Sequence, residues 1–230
     1  MSANGSKIVI SLGGSLIAPP EGVDTVFLSR FRGLLARHVR QGRRFVVVCG
    51  GGAVCRSYQQ AASRMVKATR DQLDNIGIKA TLLNAQLVRT VFGKLADDRV
   101  VTDPRVSLRR KAPVIIGAGW LPGCSSDHDA ILLARQFGAG TLINFSNIPY
   151  VYDRDPRKYP QAKPLLKLTW TEFRRRFGGR WRPGLNSPFD PVAARAAQKA
   201  GIKVVVADGR DLANIDHIIS GRPFRGSVIG

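Results

Sequence analysis

The 230-residue chain is poor in the side chains that staple or metallate small folds, with three cysteines and three histidines. Cys49, Cys55 and Cys124 cannot form a disulfide framework and lie too far apart for a CxxC metal knuckle. The expectation is a reducing compartment and no bound structural metal. Aromatics make up only 7%, so aliphatic side chains must fill the core. Apolar runs such as Phe45–Cys49 and Pro113–Ile116 are short, against the roughly 18–20 residues of a membrane span. Met1–Ser6 is polar and leads straight into a strand-like segment, with no secretory leader pattern. A cytoplasmic protein with no membrane contact is expected. Acidic residues are also scarce: 16 Asp+Glu, only 2 of them Glu, face 36 Lys+Arg, 26 of them Arg, for a net charge of +20.

Such an excess has two readings. One is a polyanionic partner, either nucleic acid or phosphorylated small molecules. The other is a solvated surface with an arginine bias. The densest clusters are Arg37–Arg44, Arg109–Lys111 and Arg174–Arg182, with no zinc finger, recognition helix or aromatic RNA-binding motif beside them. Dispersed charge of this kind predicts weak, nonspecific RNA binding at low salt that is lost near physiological ionic strength.

The remaining 44% of apolar residues suffice for one substantial core or two tightly joined lobes. Strand-like runs at Lys7–Leu12, Arg43–Cys49, Pro113–Gly117, Thr141–Phe145 and Lys203–Ala207 alternate with helical patterns. The helical stretches are Val23–Arg40, Ala53–Lys67, Asp71–Phe92 (with a break expected near Gly77), Asp127–Phe137, Thr169–Phe177, Asp190–Ala200 and Asp211–Ser220. Gly226–Ile229 reads as a last edge strand. This alternation predicts an α/β fold with a mainly parallel sheet. Asn147–Lys167 is the least regular region, and any division into lobes falls near residue 112.

Three of these strands end in glycine-rich loops: Gly13-Gly14-Ser15, Gly50-Gly51-Gly52 and Gly117-Ala118-Gly119. Ligands of open α/β sheets bind beyond the carboxyl ends of the strands. Glycine there lets backbone N–H groups approach a phosphate. Each loop alone could be a tight turn, but three together point to a phosphorylated ligand. None is a P-loop or a dinucleotide fingerprint.

The blocks IVISLGGSL (Ile8–Leu16), VVVCGGGAVCRSY (Val46–Tyr58) and LDNIGIKATLLNAQLV (Leu73–Val88) carry a family resemblance. So do SSDHDAILLARQFGA (Ser125–Ala139), SNIPYVYDRDPRK (Ser146–Lys158) and FDPVAARAAQKAGIKVVVADG (Phe189–Gly209). In their order and spacing, from Lys7 to Gly230, they resemble the amino acid kinase superfamily, most of all its archaeal-type UMP kinases. The resemblance implies a three-layer α/β/α sandwich with a mainly parallel central sheet. It implies an acceptor lobe at 1–112 and an ATP lobe at 113–230. It also implies direct, Mg²⁺-assisted phosphoryl transfer from ATP to UMP, and a homohexamer assembled from dimers.

Residue by residue, the resemblance places Gly13, Gly14 and Ser15 on the ATP phosphates, with Gly14, Arg56 and Asp127 at the transfer centre. Gly51 and Gly52 would lie under the UMP phosphate, and the planar fork of Arg56 would grip that phosphate. Read without the resemblance, Arg56 is a surface arginine. Related small-phosphate kinases carry a catalytic histidine at its position. Asp74 and Gly77 match a uridine-contacting pair, although Asp74 also reads as a helix N-cap. Thr81 and Asn84 match the acceptor site, and Ser125 and Ser126 the segment facing the acceptor phosphate. Asp127 would organise Mg²⁺–ATP while also being a first-turn helix charge. Asn147, Tyr152, Asp155 and Lys158 match the ATP-binding loop. Asp190 matches a nucleotide-side aspartate and equally a cap ahead of Pro191.

Two departures stand out. Many family members carry a lysine where this chain has Ser11. The family's TNVDG segment becomes Ser146-Asn147-Ile148-Pro149-Tyr150, so the ATP-side loop is expected to differ in shape. The alternatives to UMP phosphorylation are another small-phosphate kinase of this fold, or a nucleotide-binding protein with little catalysis.

Overall fold

The computed structural model describes residues 7–105, 111–179 and 187–230. Its first half comprises β1 (Lys7–Leu12), α1 (Gly14–Ile17), α2 (Thr25–Arg40), β2 (Arg44–Cys49), α3 (Gly52–Met65) and α4 (Arg70–Phe92). Then follow β3 (Val114–Gly117), α5 (Ser126–Phe137), β4 (Thr141–Ser146), β5 (Lys167–Leu168) and α6 (Trp170–Phe177). The chain closes with α7 (Pro191–Ala200), β6 (Lys203–Asp208), α8 (Leu212–Ser220) and β7 (Ser227–Ile229). The basic clusters at 109–111 and 174–182 fall partly outside the described residues.

Among the described residues the sheet has seven strands in the order β3-β2-β1-β4-β6-β7-β5. Every pairing is parallel except β6 with β7. The central strands carry near-continuous apolar runs, such as Phe45–Cys49 and Val204–Ala207, because both faces are covered. Val9, Val46, Val48, Ile115, Leu142 and Val204 pack one face against α5, α6 and α7. Ile10, Leu12, Val47, Ile116, Ile143 and Phe145 pack the other against α2, α4 and α8. The result is the three-layer α/β/α sandwich. Helix α3 has no fully buried residue and lies on α4.

Six helices begin where a short polar side chain caps them. Asp24, Thr69, Ser125, Thr169, Asp190 and Asp211 each accept a backbone N–H of the first turn. Three expectations need correction. Helix α4 runs unbroken through Gly77, because that glycine serves packing. A Cβ there would meet Gln59 Nε2 at 3.2 Å and Cys55 Sγ at 3.3 Å. The C-terminal strand is not an edge: β7 lies between β6 and β5, and the two-residue β5 is the edge. It can turn back because Asn214 holds the Gly221–Gly226 connection, donating to Arg225 O and accepting from Arg225 N, each at 2.7 Å. The first glycine loop also coils into the short α1, where a plain loop is expected.

Helices α2 and α8 are joined by a partly exposed polar link. His38 Nε2 lies 2.8 Å from Asp216 Oδ1, and Arg222 pairs with the other oxygen. Burial pushes the Asp216 carboxyl up, but the His38 hydrogen bond and the charges of His38 and Arg222 outweigh it and hold it below 3.8. The native value is depressed, so the link stabilises the fold above 3.8 and is lost as pH falls through the lower folded value. Asp216→Asn should therefore cost at most about 1 kcal/mol at neutral pH. Urea denaturation of both proteins should show that difference vanish in strongly acid solution.

Candidate active site

The sheet order reverses at β1. Its neighbours are β2 and β4, and the connections leaving those two strands cover opposite faces. A crevice opens at the carboxyl ends at such a point. Gly13 N donates to Phe145 O at 2.9 Å, tying the end of β1 to the end of β4. On the other side the β1 and β2 loops touch backbone to backbone. A Cβ on Gly14 would lie 2.2 Å from Gly52 N and 2.4 Å from Gly50 O. Gly52 also has φ +64°, where a side chain is strained. These glycines are required by close approach, so the loops converge before any ligand is considered.

Arg56, one turn into α3, reaches back to the first loop. Its guanidinium donates to Ser15 Oγ at 3.1 Å and is exposed to solvent. The N-termini of α5 and α7 meet through a chain of caps. Ser125 caps α5, and its N–H and Oγ donate to Asp190 Oδ2 at 2.9 and 2.7 Å. Asp190 Oδ1 in turn accepts from Val192 N and caps α7. Asp190 is thus a cap that also holds the acceptor-side segment in place.

A cleft of about 130 Å³ lies on the α3–α4 side. Of the residues expected at the acceptor, Gly51, Asp74, Gly77, Thr81, Ser125 and Ser126 line it, and Gly52, Arg56 and Asn84 are not in its lining. Cys55, Gln59, Cys124 and Asp129 line it too, and no sequence motif marked them. Asp74, Thr81 and Asn84 occupy one face of α4, and each grips main chain. Asp74 Oδ2 accepts from Gly123 N at 2.8 Å, so Asp74 is no helix cap; Thr69 is. Thr81 Oγ1 accepts from Gly119 N at 2.8 Å. Asn84 Nδ2, buried, donates to Gly50 O at 2.7 Å. These side chains therefore build the cleft by holding both loops.

On the other side of β1, a cavity of about 270 Å³ is lined by Ser146, Asn147, Ile148, Tyr152, Asp155 and Arg157, among others. Lys158, expected there, is exposed and not in the lining; Arg157 lines the cavity and pairs with Asp155 at 3.1 Å. Tyr150 stands edge-on to Tyr152, with ring centres 6.2 Å apart.

Residues 6–208 match the model of the amino acid kinase family. The chain belongs to that family. The uridylate kinase of Methanospirillum hungatei is 33% identical over 225 residues, covering 96% of this chain and 94% of that protein. The uridylate kinase of Thermoplasma volcanium is 34% identical over 219 residues, covering 94% of each. The crystal structure of uridylate kinase from Archaeoglobus fulgidus superposes with a TM-score of 0.83 at 30% identity, covering 97% of this chain and all of that one.

In this amino acid kinase the Ser11 position is turned to a different use. Ser11, buried in β1, donates to Asp127 Oδ1 at 2.8 Å. Burial pushes Asp127 up to about 6, against the lowering effect of that hydrogen bond. Burial likewise pushes Asp129 up to about 7, opposed by Trp120 N–H. Four aspartates, at 74, 127, 129 and 190, thus gather at the crevice of a strongly basic chain.

Asn84→Ala tests the scaffold. It removes a buried donor and leaves Gly50 O unpaired, so stability should fall by about 1–3 kcal/mol in urea denaturation. Asn84→Asp, which offers no amide donor to that carbonyl, should be no better.

Proposed function

We propose that this chain transfers the γ-phosphoryl group of ATP to UMP, releasing UDP and ADP. The observation that carries the proposal is the pair of cavities flanking the β1 glycine loop, with Arg56 reaching across to Ser15. The uridylate kinases it is similar to, over nearly their whole length, support the choice of acceptor.

In this reading the cleft of Gly51, Asp74 and Gly77 takes UMP, and the cavity of Asn147, Tyr152 and Asp155 takes ATP. The lobes at 1–112 and 113–230 divide the work, with Gly119–Asp129 crossing over to the acceptor cleft. An oxygen of the UMP phosphate forms a bond to the γ-phosphorus as the bond to the ADP oxygen breaks. Such a transfer needs positioning and cancellation of charge more than covalent help. Backbone N–H groups of the two glycine loops and the Arg56 fork supply both. The Arg56–Ser15 hydrogen bond spans the acceptor-side helix and the donor-side loop, so it orients the arginine ahead of binding.

The family resemblance also implies Mg²⁺. Asp127 fits it: one hard carboxylate beside substrate phosphates is a usual way to hold this ion. Asp190 does not fit, since both its oxygens are committed to Ser125 and Val192. When bound, Mg²⁺ would neutralise charge on the transferring group.

Exposed Tyr58, Met65, Val66 and Leu83 crowd the α3–α4 pair and support assembly through the N-terminal lobe into dimers and a homohexamer. Light scattering should then give a multiple of the 25.1 kDa chain. The basic charge is dispersed, and Arg105, Arg154, Arg157, Arg222 and Arg225 pair with neighbouring aspartates, so the RNA binding proposed here is weak and confined to low salt. No helix among the described residues is long and apolar enough to cross a membrane.

An ADP-release assay over a panel of nucleoside monophosphates and isopentenyl phosphate tests the reading. UMP should turn over best, and faster turnover of another acceptor overturns the assignment. Arg56→Ala should raise the KM for UMP by an amount worth about 1.5–3 kcal/mol and leave the KM for ATP nearly unchanged. Normal UMP dependence in that variant would make Arg56 a surface residue.

A further inference from the structure

The segment between β3 and α5 brings three metal-binding side chain types together in the wall of the acceptor cleft. Cys124, His128 and Asp129 each offer one ligand atom, and those atoms lie within 4.8 Å of one another. Cys124 immediately precedes the α5 cap, and His128 and Asp129 sit in the helix's first turns. Asp129 is 2% exposed. Its Oδ2 accepts from Trp120 N at 3.2 Å, which fixes the carboxylate. Its Oδ1 is buried and has no hydrogen-bond partner, and the same holds for Nδ1 of His128. Cys124 Sγ makes only a 3.6 Å contact to Leu121 O. Buried polar atoms normally find partners, and two unpartnered ones in successive residues beside a free thiol are unusual. Burial, and after it the charges of Asp129, Asp190 and Asp74, push the Cys124 thiol up to about 12, so a bound cation must displace its proton.

We propose that Cys124, His128 and Asp129 form a binding site for a zinc-class divalent cation. Sulfur and imidazole nitrogen select a borderline-soft ion and are poor ligands for Mg²⁺. The site is therefore distinct from any Mg²⁺ held with ATP. Bond lengths of about 2.0–2.3 Å require the three ligand atoms to draw together by roughly 1 Å. Rotation of the half-buried Cys124 and His128 toward the fixed Asp129 provides for that shift. A thiolate and a carboxylate balance the two charges of the ion. The Trp120 N–H on Asp129 is the kind of outer contact that orients a ligand. Three protein ligands leave a fourth tetrahedral position to water. Cys124 and Asp129 also line the acceptor cleft, so ion loading and acceptor binding share two side chains. No motif marks the site, because Cys124 and the His128-Asp129 pair match no CxxC or HxxxH spacing. The inference does not depend on which acceptor is phosphorylated.

Titration of the full chain with Zn²⁺ by calorimetry, and with Co²⁺ by absorption spectroscopy, tests the site. The expected result is one Zn²⁺ per chain and a near-ultraviolet thiolate-to-cobalt band. Cys124→Ser and His128→Ala should each weaken Zn²⁺ more than about tenfold, and Cys124→Ser should abolish the cobalt band. Cys55→Ser, which removes the other cleft thiol, should leave both signals intact. In the unaltered protein Zn²⁺ should slow alkylation of Cys124, read on its peptide by mass spectrometry, so the result does not rest on the variants folding. Absence of Zn²⁺ binding, a cobalt complex without the thiolate band, unprotected Cys124, or full affinity in either variant would overturn the site.

Discussion

The backbone contact between Gly14 and the Gly50–Gly52 turn is the constraint on which the rest of the site depends. No Cβ fits at Gly14, with Gly52 N 2.2 Å from where it would stand. That contact brings the ends of β1 and β2 together. It starts α3 directly over the first loop and lets Arg56 reach Ser15. Asn84 then locks the turn from below through the carbonyl of Gly50. A larger residue at either loop would part the two strand ends and separate the surfaces that flank them.

Helix α4 holds the second half of the crevice. Asp74 and Thr81 grip the N–H groups of Gly123 and Gly119, and the loop between β3 and α5 is pinned at both ends. Ser125 then passes the restraint to Asp190 and so to α7. Asp74 and Thr81 accept from main chain, and Asp190 from main chain and the Ser125 hydroxyl, which keeps these buried polar groups tolerable. Asp127 is held by the Ser11 hydroxyl, whereas Asp190 is spent on capping.

Much of the architecture was legible in the chain because its signals are local. Continuous apolar runs ending in glycine mark buried parallel strands. Asp190 ahead of Pro191, with Gly201 behind, brackets α7 by capping chemistry alone. The errors fell where a distant contact decides. Gly77 looks like a helix breaker but is a packing notch for Cys55 and Gln59 on α3. The segment Ser227–Ile229 looks like an edge strand, yet Asn214 turns it into the gap between β6 and β5.

The sequence by itself determined the layered α/β class, the family, and the set of glycine loops with Arg56 beside them, since each is written in contiguous residues and fixed spacings. Only the tertiary structure decided what the polar side chains do. Asp74, Thr81 and Asn84 share a helix face in any reading, but whether they meet a ligand or the backbone of two loops depends on groups 33 to 49 residues away. Ser11 and Asp127 are 116 residues apart and meet at 2.8 Å. The grouping of Cys124, His128 and Asp129 around unpartnered buried atoms likewise comes from the way the β3–α5 loop is folded against α4 and Asp190. Local pattern specifies elements, while hydrogen-bond partners across the chain are chosen by packing, which no spacing in the sequence encodes.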